Sequence, residues 1–275
     1  MFDTMQNAKC NVQNEIRRNP SLRQRLDDLY DACNKREYVH PDPLEFLYDY
    51  SDIRDREIAG LIASALAYGR VAQILKSVSY VLKIMEPSPR EFLMQSSTDD
   101  LVHTFKNFKH RFADGNNLAA LLFGIKQILK QYGNLYECFL SGTAQDEQTI
   151  FSGLNLFCQK LRDGTEPGHL VPLADRGSAC KRMNLFLRWM VRKDAVDPGG
   201  WDAFSPAKLI VPLDVHLHRI CLRMGLTQRR QANMRTALEI TSAFKDFAPD
   251  DPVRYDFALT RLGIRDDMNM DDFLL

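Results

Sequence analysis

The sequence predicts an all-α protein, and three observations carry that prediction. Apolar residues recur at the three- and four-residue spacing of a helix face in segment after segment. Cap residues followed by proline punctuate the chain at helix starts. No alternating apolar–polar run of useful length and no internal repeat is present. With 275 residues, 45% of them hydrophobic, the chain is long enough to bury a proper core as one all-α domain over 1–275.

The elements follow in order. Asn19-Pro20 places a cap and a first-turn proline at the head of a helix that runs to about Cys33. Asp42-Pro43 does the same for a short helix through Tyr48. Asp52 opens a helix with Ile58, Leu61, Ile62, Ala65 and Leu66 on one face, and Gly69 is the expected stop. Val71 to Met85 continues as a helix, ended by Pro87 and Pro89. Leu118, Leu121, Leu122, Ile125, Ile128 and Leu129 form one stripe; Ile150, Phe151, Leu154, Phe157, Cys158 and Leu161 form another. Past Pro167-Gly168 comes a helix with Met183, Phe186, Leu187 and Met190 on one face and Lys181, Asn184, Arg188 and Arg192 on another. Pro212 bars a helix interior, and Asp214 is an N-cap for a helix from Val215 to about Met224. Asp251-Pro252 opens the last helix, ending at Gly263, and the stretch 266–275 reads as an acidic tail. The helices divide into two lobes, about 52–165 and about 166–265 with the N-terminal helices.

The best apolar stretch, Ile58 to Gly69, is about half the roughly 20 residues of a membrane span, so no membrane association is expected. Met1 to Arg18 is polar with no apolar core, unlike a signal peptide. The six cysteines include no short metal-binding spacing, which argues for reduced thiols in a cytoplasm and against a metal site or cluster. His216 and His218 are two apart and diverge on a helix. No phosphate loop, dinucleotide fingerprint or hydrolase elbow occurs, and no cofactor is expected.

The formal charge is zero, yet unevenly spread: Arg176 to Arg235 holds twelve basic and four acidic residues, +8 against −8 elsewhere. Such a segment attracts a polyanion if its charges face one way; alternatively its partners are acids elsewhere in the fold.

Val211-Pro212-Leu213-Asp214-Val215-His216-Leu217-His218-Arg219-Ile220 resembles the Val-Asp-Thr-His-Val-x-Arg-Val segment of the helix-hairpin-helix DNA glycosylases, the superfamily of endonuclease III. Gly177 and Lys181 look like a degenerate form of its hairpin and catalytic lysine. Ile58 to Arg70 is similar to the helix leading into its strand-invading loop, and Tyr255 to Gly263 to its closing helix. The whole chain also resembles a bacterial family of conserved proteins with no assigned function. The departures are specific. Leu173-Ala174-Asp175-Arg176-Gly177 replaces the Leu-Pro-Gly-x-Gly-x-Lys hairpin. Lys181 and Asp214 lie 33 apart, a wide spacing closer to the archaeal oxidised-guanine glycosylases. Cluster cysteines are missing. Leu66 fills the polar wedge position, leaving Tyr68 and Arg70 as the intruding side chains.

The resemblance implies a helix-hairpin-helix glycosylase-like fold with a cleft between the lobes, and a DNA N-glycosylase with abasic-site lyase activity. The implied substrate is double-stranded DNA with a damaged base, with oxidised guanine as the candidate. Asp214 would stabilise the cationic sugar carbon and Lys181 would attack it and form a Schiff base. The amine must be neutral to attack, which partial burial and the neighbours Arg182 and Arg188 would favour. Phe186, Trp189 and Trp201 are the aromatic residues expected to hold the flipped base. The N–H groups of Arg176, Gly177 and Ser178, at a helix start, together with Arg182, His216 and Arg219, would contact phosphates. Two other readings remain open: a nucleic-acid-binding protein of this fold without catalysis, and a helical interaction scaffold. As residues alone, Asp214 is also a plain helix cap and Lys181 a surface lysine.

Overall fold

The structure, a computed structural model, describes residues 20–144, 146–262 and 273. The N-terminal stretch Met1–Arg18, the expected cap Asn19, Gly263 and the acidic tail, Phe273 apart, lie outside the described residues. Among the described residues there are twelve α-helices and one two-residue hairpin, so the class is all-α. No helix among them is long and apolar enough to cross a membrane.

The helices are α1 (Pro20–Cys33), α2 (Ile53–Ala65), α3 (Val71–Ile84), α4 (Pro89–Gln95), α5 (Thr98–Phe105), α6 (Gly115–Tyr132), α7 (Leu135–Leu140), α8 (Phe151–Arg162), α9 (Lys181–Val191), α10 (Val215–Arg223), α11 (Met234–Phe247) and α12 (Asp256–Arg261). Strands β1 (Lys109–His110) and β2 (Ala113–Asp114) pair antiparallel between α5 and α6, with His110 opposite Ala113.

The central element is α2. Its apolar residues were expected on one face, but every residue from Glu57 to Ala65 is buried. A helix surrounded by others cannot keep a polar side. Small residues let neighbours approach: a Cβ on Gly60 would stand 3.1 Å from Leu47 and 3.5 Å from Phe186 on α9. Helix α2 stops at Ala65, before Gly69, and the chain leaves it through Leu66, buried, and Tyr68, half-buried. The Asp42-Pro43 element is a 3-10 helix, Pro43–Asp49, capped by Asp42 onto the Leu44 N–H.

The polar face expected on α9 is buried instead. Asn184, Arg188 and Arg192 are all at most 3% exposed. Arg188 donates to Asp197 from Nε (3.2 Å) and Nη2 (3.1 Å) and to Asp256 from Nη1. Arg192 donates to Asp251 (2.9 Å), Asp194 (2.8 Å) and Asp197. Two of the twelve basic residues are thus spent inside the protein, pinning α9 to the irregular 192–206 loop and to the turn before α12. The same contact explains the short last helix. The Asp251 carboxylate, expected as a helix cap, is taken by Arg192, and α12 begins only at Asp256.

Candidate functional site

Lys181 and Asp214 meet. The Lys181 Nζ is 2.9 Å from Asp214 Oδ2, with the two side chains 36% and 20% exposed. Asp214 arrives at the end of a buried non-helical run, Leu209–Leu213, whose Val211 N–H donates to the Thr241 hydroxyl at 3.1 Å. Its backbone is extended and its carboxylate accepts from the Leu217 N–H at 2.8 Å, so it is the N-cap of α10. Lys181 is the first residue of α9. It follows Cys180, whose left-handed backbone (φ 47°) turns the chain sharply into the helix and gives no side-chain cap. Burial works against the Asp214 carboxylate ion, but the Lys181 charge and the Leu217 N–H outweigh it, so its pKa lies below the ordinary value.

This pair stands where two hollows join. Inward lies a pocket of about 170 Å³, lined by Lys181, Asp214, Trp189, Asp256, Phe257 and Arg261 among others. That is close to the roughly 150 Å³ that admits a benzene ring. Outward lies an open groove of about 530 Å³, bordered by Tyr68, Gly69, Ser178, Arg182, Val215 and His216 among others. Lys181, Asp214, His216 and Ala67 belong to both.

Polar groups also lie among the residues lining the inner pocket. Trp189 is 1% and Arg261 3% exposed, and among the described residues the Trp189 Nε1–H and the Arg261 Nε–H have no acceptor. The rest of Arg261 is fixed, with Nη2 on Asp42 at 2.7 Å and the guanidinium 4.2 Å from the Phe257 ring centre. Burial pushes the Asp256 carboxyl up to about 6, with Arg188 opposing and Asp214 adding to the rise.

The other expected site residues divide. Trp189 lines the inner pocket. Phe186 and Trp201 do not: both are core residues, with Trp201 against Phe139, Tyr136 and Phe186 and its indole N–H on Glu57 at 3.1 Å. Ring size alone could not separate core from pocket. Arg176, Gly177 and Ser178 do not open a helix. Arg176 ends a 3-10 turn, the Gly177 N–H is used by the Ala174 carbonyl, and Ser178 pairs with Asn233. The helix start moves to Lys181. Arg182 lies along the groove but donates to the Ala65 carbonyl at 2.6 Å and to the His169 carbonyl, beneath the Tyr68 ring. Tyr68 is itself tied down: its hydroxyl donates to the His110 carbonyl at 2.8 Å and meets His169 Nε2 at 2.8 Å. It is therefore a wall of the groove and not a free intruding side chain. Arg70 and Arg219 are exposed, outside both hollows; His216 is exposed at their junction. His218 points away, to the Arg229 carbonyl at 2.8 Å. Asp256, Phe257 and Arg261 were missed as site residues, although the resemblance had marked their helix.

Comparison with known families gives one match. The profile of a family described as "Protein of unknown function (DUF2400)" matches residues 42–265. No curated protein and no solved structure matches the chain significantly.

Proposed function

For this chain, which belongs to the DUF2400 family of proteins of unknown function, we propose a DNA base-excision role: removal of a damaged base followed by strand cleavage at the abasic site. The observation that carries the proposal is the Lys181–Asp214 pair, 2.9 Å apart at the opening shared by a ring-sized pocket and an open groove. Removing a base makes the sugar carbon C1′ cationic, and an ionised Asp214 is poised to stabilise that charge. Lys181 first releases a proton to solvent through the groove. Its neutral amine then forms the Nζ–C1′ bond as the glycosidic bond breaks. The departing base leaves with the electron pair and takes a proton from the new ammonium. The nitrogen lone pair of the aminal then expels the ring oxygen O4′, which takes a proton from solvent, to give the protonated Schiff base; loss of a C2′ proton to solvent and departure of the 3′ phosphate complete the elimination.

The surroundings agree. The rings of Trp189 and Phe257 among the pocket lining suit a planar base, with oxidised guanine as the candidate. The uncapped start of α9 leaves N–H groups beside the groove for a phosphate. Arg176, Arg219, Arg230 and Arg235 are exposed without an ion-pair partner among the described residues, which favours a polyanion. Ala67, Tyr68 and Gly69 face the segments 178–182 and 214–216 across the groove, in keeping with a glycosylase-like fold whose two lobes, about 52–165 and about 166–265, meet there.

The test is chemical trapping. Duplexes with an abasic site or oxidised guanine, incubated with the protein and borohydride, should yield a covalent adduct that Lys181→Gln loses while keeping affinity. Folded protein giving no adduct on any lesion or abasic site overturns the lysine mechanism. A second reading, nucleic-acid binding without catalysis, is favoured by the closeness of the pair itself, since an ammonium seated on a carboxylate is also a plain ion pair. It predicts salt-sensitive binding with no adduct.

A further inference from the structure

We propose that the 109–114 hairpin is a wedge for double-stranded DNA: Phe112 at its tip, with Arg111 beside it, stacks into the gap left when a nucleotide swings out into the groove. The inference rests on the reading above, and moves the intruding role from Tyr68 to a residue on a neighbouring element.

Exposure is the first ground. Phe112 is 76% exposed, the most of any large apolar side chain among the described residues. An aromatic ring offered to water in this way suits a partner that supplies a flat face.

Rigidity is the second. Arg111 takes a left-handed backbone (φ 53°) at the turn, and its guanidinium carbon lies 5.4 Å from the Phe112 ring centre. The base of the hairpin is locked by His110, fully buried, with Nδ1 2.9 Å from the Ser77 hydroxyl and Nε2 3.1 Å from the Tyr68 carbonyl. Since a carbonyl only accepts, Nε2 carries the proton and Nδ1 accepts from Ser77. A stacking residue held in this way loses little freedom on binding.

Position is the third. The Arg111 side chain lies on Gly69, whose positive φ (102°) favours glycine and where an added Cβ would come within 2.6 Å of Arg111 Cδ, so the hairpin tip borders the groove rim. The Phe112 ring meets the edge of His169 at 6.1 Å, and His169 meets Tyr68 of the groove wall at 5.0 Å. Charge completes the case for DNA. Residues 106–113 carry Lys106, Lys109 and Arg111 with no acid, and the next carboxylate, Asp114, is occupied capping α6. The neighbouring Arg70 is exposed as well.

Phe112→Ala removes the ring without touching the core, so its thermal melt should match wild type. The probe is a short duplex carrying one tetrahydrofuran abasic analogue, compared with the same duplex intact. Wild type should prefer the analogue duplex. Phe112→Ala should weaken that binding on the order of tenfold or more and erase the preference, and Phe112→Trp should restore it. A wild-type preference unchanged in Phe112→Ala overturns the wedge and leaves the catalytic reading standing. No wild-type binding to either duplex also overturns it. Borohydride trapping on the same preparation then separates the two ideas: an adduct keeps the catalytic reading without a wedge, and none removes both.

Discussion

At the scale of single residues, Asp214 performs two tasks with one carboxylate: it caps α10 through the Leu217 N–H and faces Lys181 across 2.9 Å. Asparagine caps almost as well but carries no charge, so Asp214→Asn separates the tasks. With the cap kept, loss of the partly exposed ion pair should cost no more than about 1 kcal/mol, a small shift in the melt. Turnover of a lesion-bearing duplex should fall on the order of 10²- to 10³-fold if the charge stabilises the sugar cation. Equal turnover in the two proteins would reduce Asp214 to a cap. That pair was legible only through the resemblance: from the residues alone Asp214, after Pro212, reads as a helix cap and Lys181 as a surface lysine. Asp256 and Arg261 were not singled out by that resemblance. They belong to the pocket because Arg188 and Asp42, remote in sequence, hold them there. Phe112 was invisible for a related reason, since a phenylalanine in a sequence carries no sign that its hairpin leaves it in water.

At the scale of elements, α9 presents Lys181 only as well as its other end is held. The hold is the cluster of Arg188 and Arg192 with Asp194, Asp197, Asp251 and Asp256. Removing one partner of a buried ion cluster strands the other charges, at a cost of about 3–5 kcal/mol. Arg192→Met should show a loss of that size in urea unfolding. Arg219→Met, on the exposed face of α10, should stay within about 0.5 kcal/mol. A loss for Arg192→Met no larger than that for Arg219→Met would mean that the cluster does not anchor α9. Helices opened by a first-turn proline, such as α1, or carrying a long apolar stripe, such as α6 and α8, could be read directly. Short ones could not: α4 and α7 bury only a few side chains each, too few for a period to emerge, and their order comes from what they pack against. The polar stripe on α9 misled because charge pattern reports solvation only when the matching acids are absent, and here they arrive from the 192–206 loop and the 251–256 turn.

At the scale of the whole molecule, Glu57 ties three distant segments together. It sits on α2 and accepts from the Leu135 N–H at the start of α7 at 2.7 Å and from the Trp201 indole in the 192–206 loop at 3.1 Å. Burial pushes its pKa from the ordinary 4.5 up to about 7, although both hydrogen bonds oppose the shift. A carboxyl with a raised folded pKa binds more protons folded than unfolded between those two values. Stability from this group is therefore full in mild acid, declines as pH rises through that window, and levels off near neutrality. At about 1.4 kcal/mol per pH unit, the decline from pH 5 to pH 7 amounts to about 2 kcal/mol. Glu57→Gln is neutral throughout and has no such slope, though it turns an amide N–H₂ toward a buried donor and lowers stability at every pH. Urea unfolding of both proteins across that range should give curves that converge as pH rises, because other titrating groups are shared and cancel in the difference. Parallel curves would show that Glu57 keeps its charge in the folded protein and that its two donors outweigh burial. The three segments would then be joined by an ionic clamp that does not loosen as the solution is made neutral.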